Sequence, residues 1–157
     1  MTVGGDHRGQ RATKSGGFWH LYVDPDGHAV VRAELWGLTD GAGEDERTML
    51  KSEIKNKLAA AQNGELRFGD KEDVREIWRE PDLCELRLGY TSFDDTEPAG
   101  YKYRLYFAEP PQVQMLLLAL KFGRKPATEA GLAVQDEHID CASNRYVEGV
   151  SRRWGLP

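Results

Sequence analysis

Cysteine is scarce in this chain: Cys84 and Cys141 are the two in 157 residues. That excludes a disulfide-stapled secreted scaffold. One bridge is the most the chain can form, and two such residues read as buried thiols of a cytosolic protein. No cysteine–histidine grouping has zinc-ligand spacing, so no metal is expected. Long apolar runs are missing too. None approaches the ~18 residues of a membrane span, and the longest, Met115 to Leu120, fits a buried strand. Residues 1 to 17 lack the apolar stretch of an export signal, so a cytoplasmic location and no membrane contact are expected. An excess of basic charge is lacking as well: 21 Lys and Arg stand against 26 Asp and Glu, for a net charge of −5. A surface built to coat nucleic acid is thereby excluded, although a local basic site is not. There is no P-loop, no Ser/His/Asp arrangement and no paired-histidine ribonuclease signature, and no cofactor is expected.

What is present suits one domain over residues 18–157, preceded by a glycine-rich arm over residues 1–17 read as flexible. "FWHLYVDPDGHAVVRAEL" alternates on both sides of a Pro-Asp-Gly turn, which predicts a hairpin, with a helix after the turn as the alternative. From Glu44 to Asn63 the period changes. Leu50, Ile54, Leu58 and Ala61 form one apolar helix face, acids lead at Glu44 to Glu46, and Asn63-Gly64 ends it. "DKEDVREIW" reads as a short second helix with Asp70 as N-cap. Three strands follow, in "LCELRLGY", "YKYRLYF" and "VQMLLLALKF". They form an antiparallel meander whose last strand is apolar on both faces. A helix over Val134 to Glu148 closes the chain, carrying Tyr146 on its apolar stripe. The expected class is α+β: an antiparallel sheet with N-terminal hairpin, two helices, three-strand meander and C-terminal helix.

The chemistry-bearing residues crowd one segment. Between Tyr101 and Lys125 lie five basic residues and one acid, Glu109. Strand alternation puts Glu85 and Arg87 on one face, and Lys102 and Arg104 on one face, with the apolar residues opposite. Lys121, Arg124 and Lys125 leave the end of the third strand. Guanidinium forks and ammonium groups so placed suit phosphate. The plainer reading pairs Arg87 with Glu85 and leaves the others solvated; His138 and His20 read as helix-surface and strand-face residues.

The run "VREIWREPDLCELRL" through "YKYRLYFAEPPQVQMLLLALKFGRKP" to a helix near Asp136 resembles the RelE/HigB toxin superfamily, nearest its phage-derived Gp49-like group. The likeness spans Trp19 to Tyr146. It implies the toxin component of a type II toxin–antitoxin system: a metal-independent endoribonuclease cutting mRNA, acting on the ribosome and restrained by a cognate antitoxin protein. Either a homodimer or a toxin–antitoxin hetero-oligomer would fit. The resemblance puts Arg87 on the basic position of the "LRL" strand, Arg104 on the arginine of "YRLYF", and Arg124 or Lys125 on the basic pair after the last strand, as catalytic groups. Lys102, Lys121 and Tyr146 are the expected RNA-binding residues. Glu85 stands where the RelE branch often has lysine. Two alternatives use the same fold: a non-catalytic nucleic-acid- or protein-binding relative from a phage or mobile element, and a ParE-like topoisomerase poison.

Overall fold

The computed structural model describes residues 12–40 and 43–157. The expected arm lies, as far as residue 11, outside them. Ala12–Ser15 make a helical turn (α1), followed by β1 (Phe18–Leu21), α2 (Val30–Asp40) and α3 (Glu44–Gln62). Next come β2 (Val74–Glu76), β3 (Leu83–Asp94), β4 (Glu97–Ala108), β5 (Leu116–Pro126) and α4 (Ala130–Gly149), with a final 3-10 turn over Val150–Gly155. The five strands form one sheet in the order β1-β5-β4-β3-β2.

The α+β class and the β3–β4–β5 meander agree with the sequence reading; several details do not. The sheet is mixed, because β1 runs parallel to β5, pairing Phe18 with Leu116 through Leu21 with Ala119. The expected N-terminal hairpin is a strand, a turn and a helix. Val31 and Leu35 alternate with Arg32 and Glu34, but they also stand four apart. Both are buried, as i, i+4 positions on α2. The expected helix over "DKEDVREIW" is instead the short edge strand β2, paired antiparallel to β3. Its acids do not cap a helix: Asp73 accepts from the Arg67 amide at 3.0 Å and from Lys57, while Val74 is fully buried.

Helices cover both faces. On one, α2 and α3 bring Leu35, Ile54 and Leu58 against Leu86, Leu88, Leu105 and Phe122. On the other, α4 lies across β5 and β4. Double cover explains why Leu116 to Leu120 are all at most 1% exposed. Met115 lies just outside that strand, with φ of 64° and 45% exposure. α3 follows its signals, with acids against the positive end of its dipole and its end at Asn63. Gly64 (φ +72°) then turns the chain, and a Cβ there would lie 2.7 Å from the Lys14 carbonyl, so α1 can pack against the helix end. α4 begins at Ala130, four residues before the expected start. No disulfide joins Cys84, which is buried, to Cys141, which is half-buried. Among the described residues, no helix is long and apolar enough to cross a membrane.

Candidate phosphate-binding site

The register of the meander decides which cations meet. Arg87 lies opposite Arg104 on β3 and β4, and Lys102 lies opposite Lys125 on β4 and β5. Arg75 of β2 lies opposite Glu85. With side chains alternating along each strand, all six share the sheet face over which α4 lies. Like charges directly opposite one another destabilise a sheet, so two such pairs side by side call for an anion. Glu85 supplies part of it. Its side chain is 1% exposed, and three guanidinium Nε atoms surround it: Arg75 at 3.2 Å, Arg104 at 3.3 Å and Arg87 at 3.9 Å. None of these contacts has hydrogen-bond alignment, so they act as charge contacts. Five cations thus face one carboxylate.

The cations differ in freedom. Arg104 is 5% exposed and donates through Nη1 to the Tyr103 carbonyl at 2.8 Å; burial holds its pKa below the usual guanidinium value, and Glu85 opposes that. Arg87 donates to the Asp70 carbonyl. Lys102 is exposed. Lys125 is half-buried and donates to Oε1 of Gln135 on α4. Its pKa is pushed down to about 8, first by desolvation and then by Arg104, Arg75 and Lys102, with Glu85 opposing. Tyr106 is fully buried beside them. Burial and the Glu85 charge push its phenol far up, and the hydroxyl has no hydrogen-bond partner. An open groove of about 580 Å³, lined by Lys57, Arg87, Thr91, Lys102 and Arg104, leads to this face over the edge of β3. Asp70, Lys71, Glu72 and Asp73 line it as well, and Asp73 is paired with Lys57.

The other sequence candidates lie elsewhere. Arg124, next to Lys125 on β5, points to the opposite face; it sits 3.9 Å over the Tyr101 ring and 3.7 Å from Asp94. Lys121 is tied to Glu34 of α2 at 2.9 Å, and Arg145 meets the same carboxylate oxygen at 2.9 Å. Tyr146 stacks on Trp154, with centroids 5.6 Å apart and planes 9° apart. His138 lies against Gly123, and burial first, then Lys121, hold its imidazole pKa down. His20 meets the Trp154 carbonyl at 2.8 Å.

Sequence reading missed Arg75 and Gln135. The signal for Arg75 was the V-R-E-I alternation, overridden by the acids before it. Gln135 gave no signal, being a polar residue on a helix. Among the described residues, Asp24, Asp26 and His28 are the one group with metal-ligand proximity. They sit on an exposed turn where Asp24 Oδ1 already accepts the amides of Asp26 at 3.0 Å and His28 at 2.7 Å. No family model, curated protein or solved structure matches the chain.

Proposed function

We propose that this protein is a RelE/HigB-like toxin, a metal-independent endoribonuclease that cuts mRNA on the ribosome in the cytoplasm and is restrained by an antitoxin protein. One observation carries the reading. Arg87, Arg104, Lys102 and Lys125 sit as facing pairs on one sheet face, with Arg75 added and a single carboxylate among them. Such a face suits the charge that grows on a phosphate in transition.

The reaction needs no further group. The 2′-hydroxyl oxygen forms a bond to the adjacent phosphorus as its proton leaves to a base. The bond from phosphorus to the 5′ oxygen breaks, and that oxygen takes a proton. Lys125 is the proton carrier. With a pKa of about 8, roughly a tenth of it is neutral at pH 7 and the rest is a ready acid. Arg104 and Arg87 hold the non-bridging oxygens. Arg104 does so from a rigid mid-strand position, and Lys102 holds the neighbouring phosphate.

Glu85 favours the second reading, a non-catalytic nucleic-acid- or protein-binding relative, because its carboxylate already offsets part of the arginine charge that a growing phosphate charge would need. Induced expression with and without the neighbouring gene, followed by mapping of mRNA ends, separates the two. Cleavage and growth arrest relieved by the neighbour are expected. Arg104→Ala should lower cleavage about 100-fold at equal protein level. A wild type that cuts no RNA on ribosomes leaves the binding reading, and a fully active Arg104→Ala removes that residue's role.

A further inference from the structure

The β3–β4 hairpin carries an aromatic ring that neither the core nor the ion pairs use. Phe93 is 62% exposed near the end of β3. Thr91 lies opposite Lys102, so Thr91, and Phe93 two residues on, share the face of the cation cluster; Ser92 points the other way, to the Tyr103 hydroxyl at 2.9 Å. Gly100 seats the ring. A Cβ there would lie 2.7 Å from Thr91 Cγ2 and 2.9 Å from Phe93 Cε1, so the ring packs on bare backbone. A residue with a side chain at position 100 would lift it away, and φ of +89° further favours glycine. Phe93 is therefore placed by the hairpin, with much of its surface left to solvent. It stands one side-chain step from Thr91 and Lys102, which line the basic groove.

The charge around the ring tells what it would meet. Asp94 lies beside it, held by the amides of Thr96 at 2.9 Å and Glu97 at 3.0 Å, and Asp95 and Glu97 share the tip. Asp94 is paired with Arg124 at 3.7 Å, which leaves Asp95 and Glu97 to oppose phosphate at the tip, while the cations further along the face attract it. A single strand with its phosphates on Lys102, Lys125 and Arg104 would bring a base, the uncharged part of the nucleotide, to the hairpin tip. We infer that Phe93, seated on Gly100, is a stacking platform for an unpaired base of the bound RNA, and so fixes where the strand lies relative to Lys102 and Arg104. This rests on the RNA reading above and adds a residue to it. Base–aromatic stacking has the tolerance for sequence and the flat geometry that an exposed ring offers.

The test uses two labelled strands of about eight nucleotides, both 2′-O-methylated so that neither can be cleaved. One carries bases and the other is abasic throughout. Fluorescence anisotropy gives the affinity of each. Phe93→Ala should weaken binding of the base-bearing strand about tenfold and leave the abasic strand unchanged. Phe93→Trp should restore the loss. Lys102→Ala should weaken both strands and lower the salt slope by about one. A Phe93→Ala protein that binds both strands as the wild type does overturns the platform while the RNA reading stands. An equal loss on both strands also overturns it, because the ring would then act through the fold or the charges. A wild type that binds neither strand overturns the RNA reading and the platform together.

Discussion

Replacing Lys125 with methionine is expected to make the protein more stable and less active at once. The ammonium sits half-buried between Arg104, Arg75 and Lys102, with a pKa lowered from 10.5 to about 8. At 1.36 kcal/mol per unit, that corresponds to roughly 3 kcal/mol against the charged form. Because the group is only half-buried, solvent screening reduces this to about 1–2 kcal/mol. Methionine keeps the aliphatic stem and removes the charge, but loses the bond to Gln135, worth about 0.5–1 kcal/mol. The net gain at pH 7 is about 1 kcal/mol, or ~2–4 °C in Tm for a domain of this size. The pH dependence follows from the direction of the shift. Between about pH 8 and 10.5 the unfolded chain holds a proton that the native state has released, so wild-type stability rises with pH there. The advantage of the variant should therefore be full below pH 8 and gone by about pH 10.5. Urea unfolding at pH 7.5 and 9.5, with RNA cleavage measured alongside, checks this. A variant that is less stable than the wild type at pH 7.5, or whose difference is the same at both pH values, would refute the reasoning.

Glu85→Gln removes the one carboxylate among Arg75, Arg87 and Arg104. It should cost about 3 kcal/mol in urea unfolding, and added phosphate should return part of the loss by binding the freed guanidinium groups. Gly149→Ala sets a Cβ 2.1 Å from Cδ1 of the buried Trp154. It should destabilise the fold by about 2 kcal/mol, read as a lower Tm with cleavage by the remaining native protein unchanged.

The parts of the fold legible in the sequence are those whose pattern fits one period alone. α3 has four apolar residues at helical spacing, leading acids and a glycine stop, and its Glu44–Gln62 span follows them. β3 and β4 are long enough for alternation to repeat. Val31 to Leu35 is too short a window: the same five residues satisfy a strand and a helix face. β2 has three residues, too few for the alternation to repeat, and the acids of "DKED" imitate a helix start. Within the site, the facing of Arg87 with Arg104 follows from alternation once the strands pair in register. The separation of Arg124 from Lys125 was legible too, since adjacent strand residues point apart. Tyr146 was not. Its place is set by Trp154, in a turn where Arg153 and Trp154 have φ of 53° and 55°, which no apolar pattern announces.

The parallel pairing of β1 with β5 bears on how the protein is made. Phe18 meets Leu116, a contact spanning roughly 100 residues, of the high contact order that slows folding. During synthesis the first strand leaves the ribosome with no partner and must wait for roughly 100 further residues. Until β5 emerges, β4 also lacks a neighbour on that side, and neither Lys125 nor the α4 that covers it exists. The cation face is therefore completed only once β5 has emerged, so that a chain cut short before it carries Arg87 and Arg104 without the lysine proposed to move the proton.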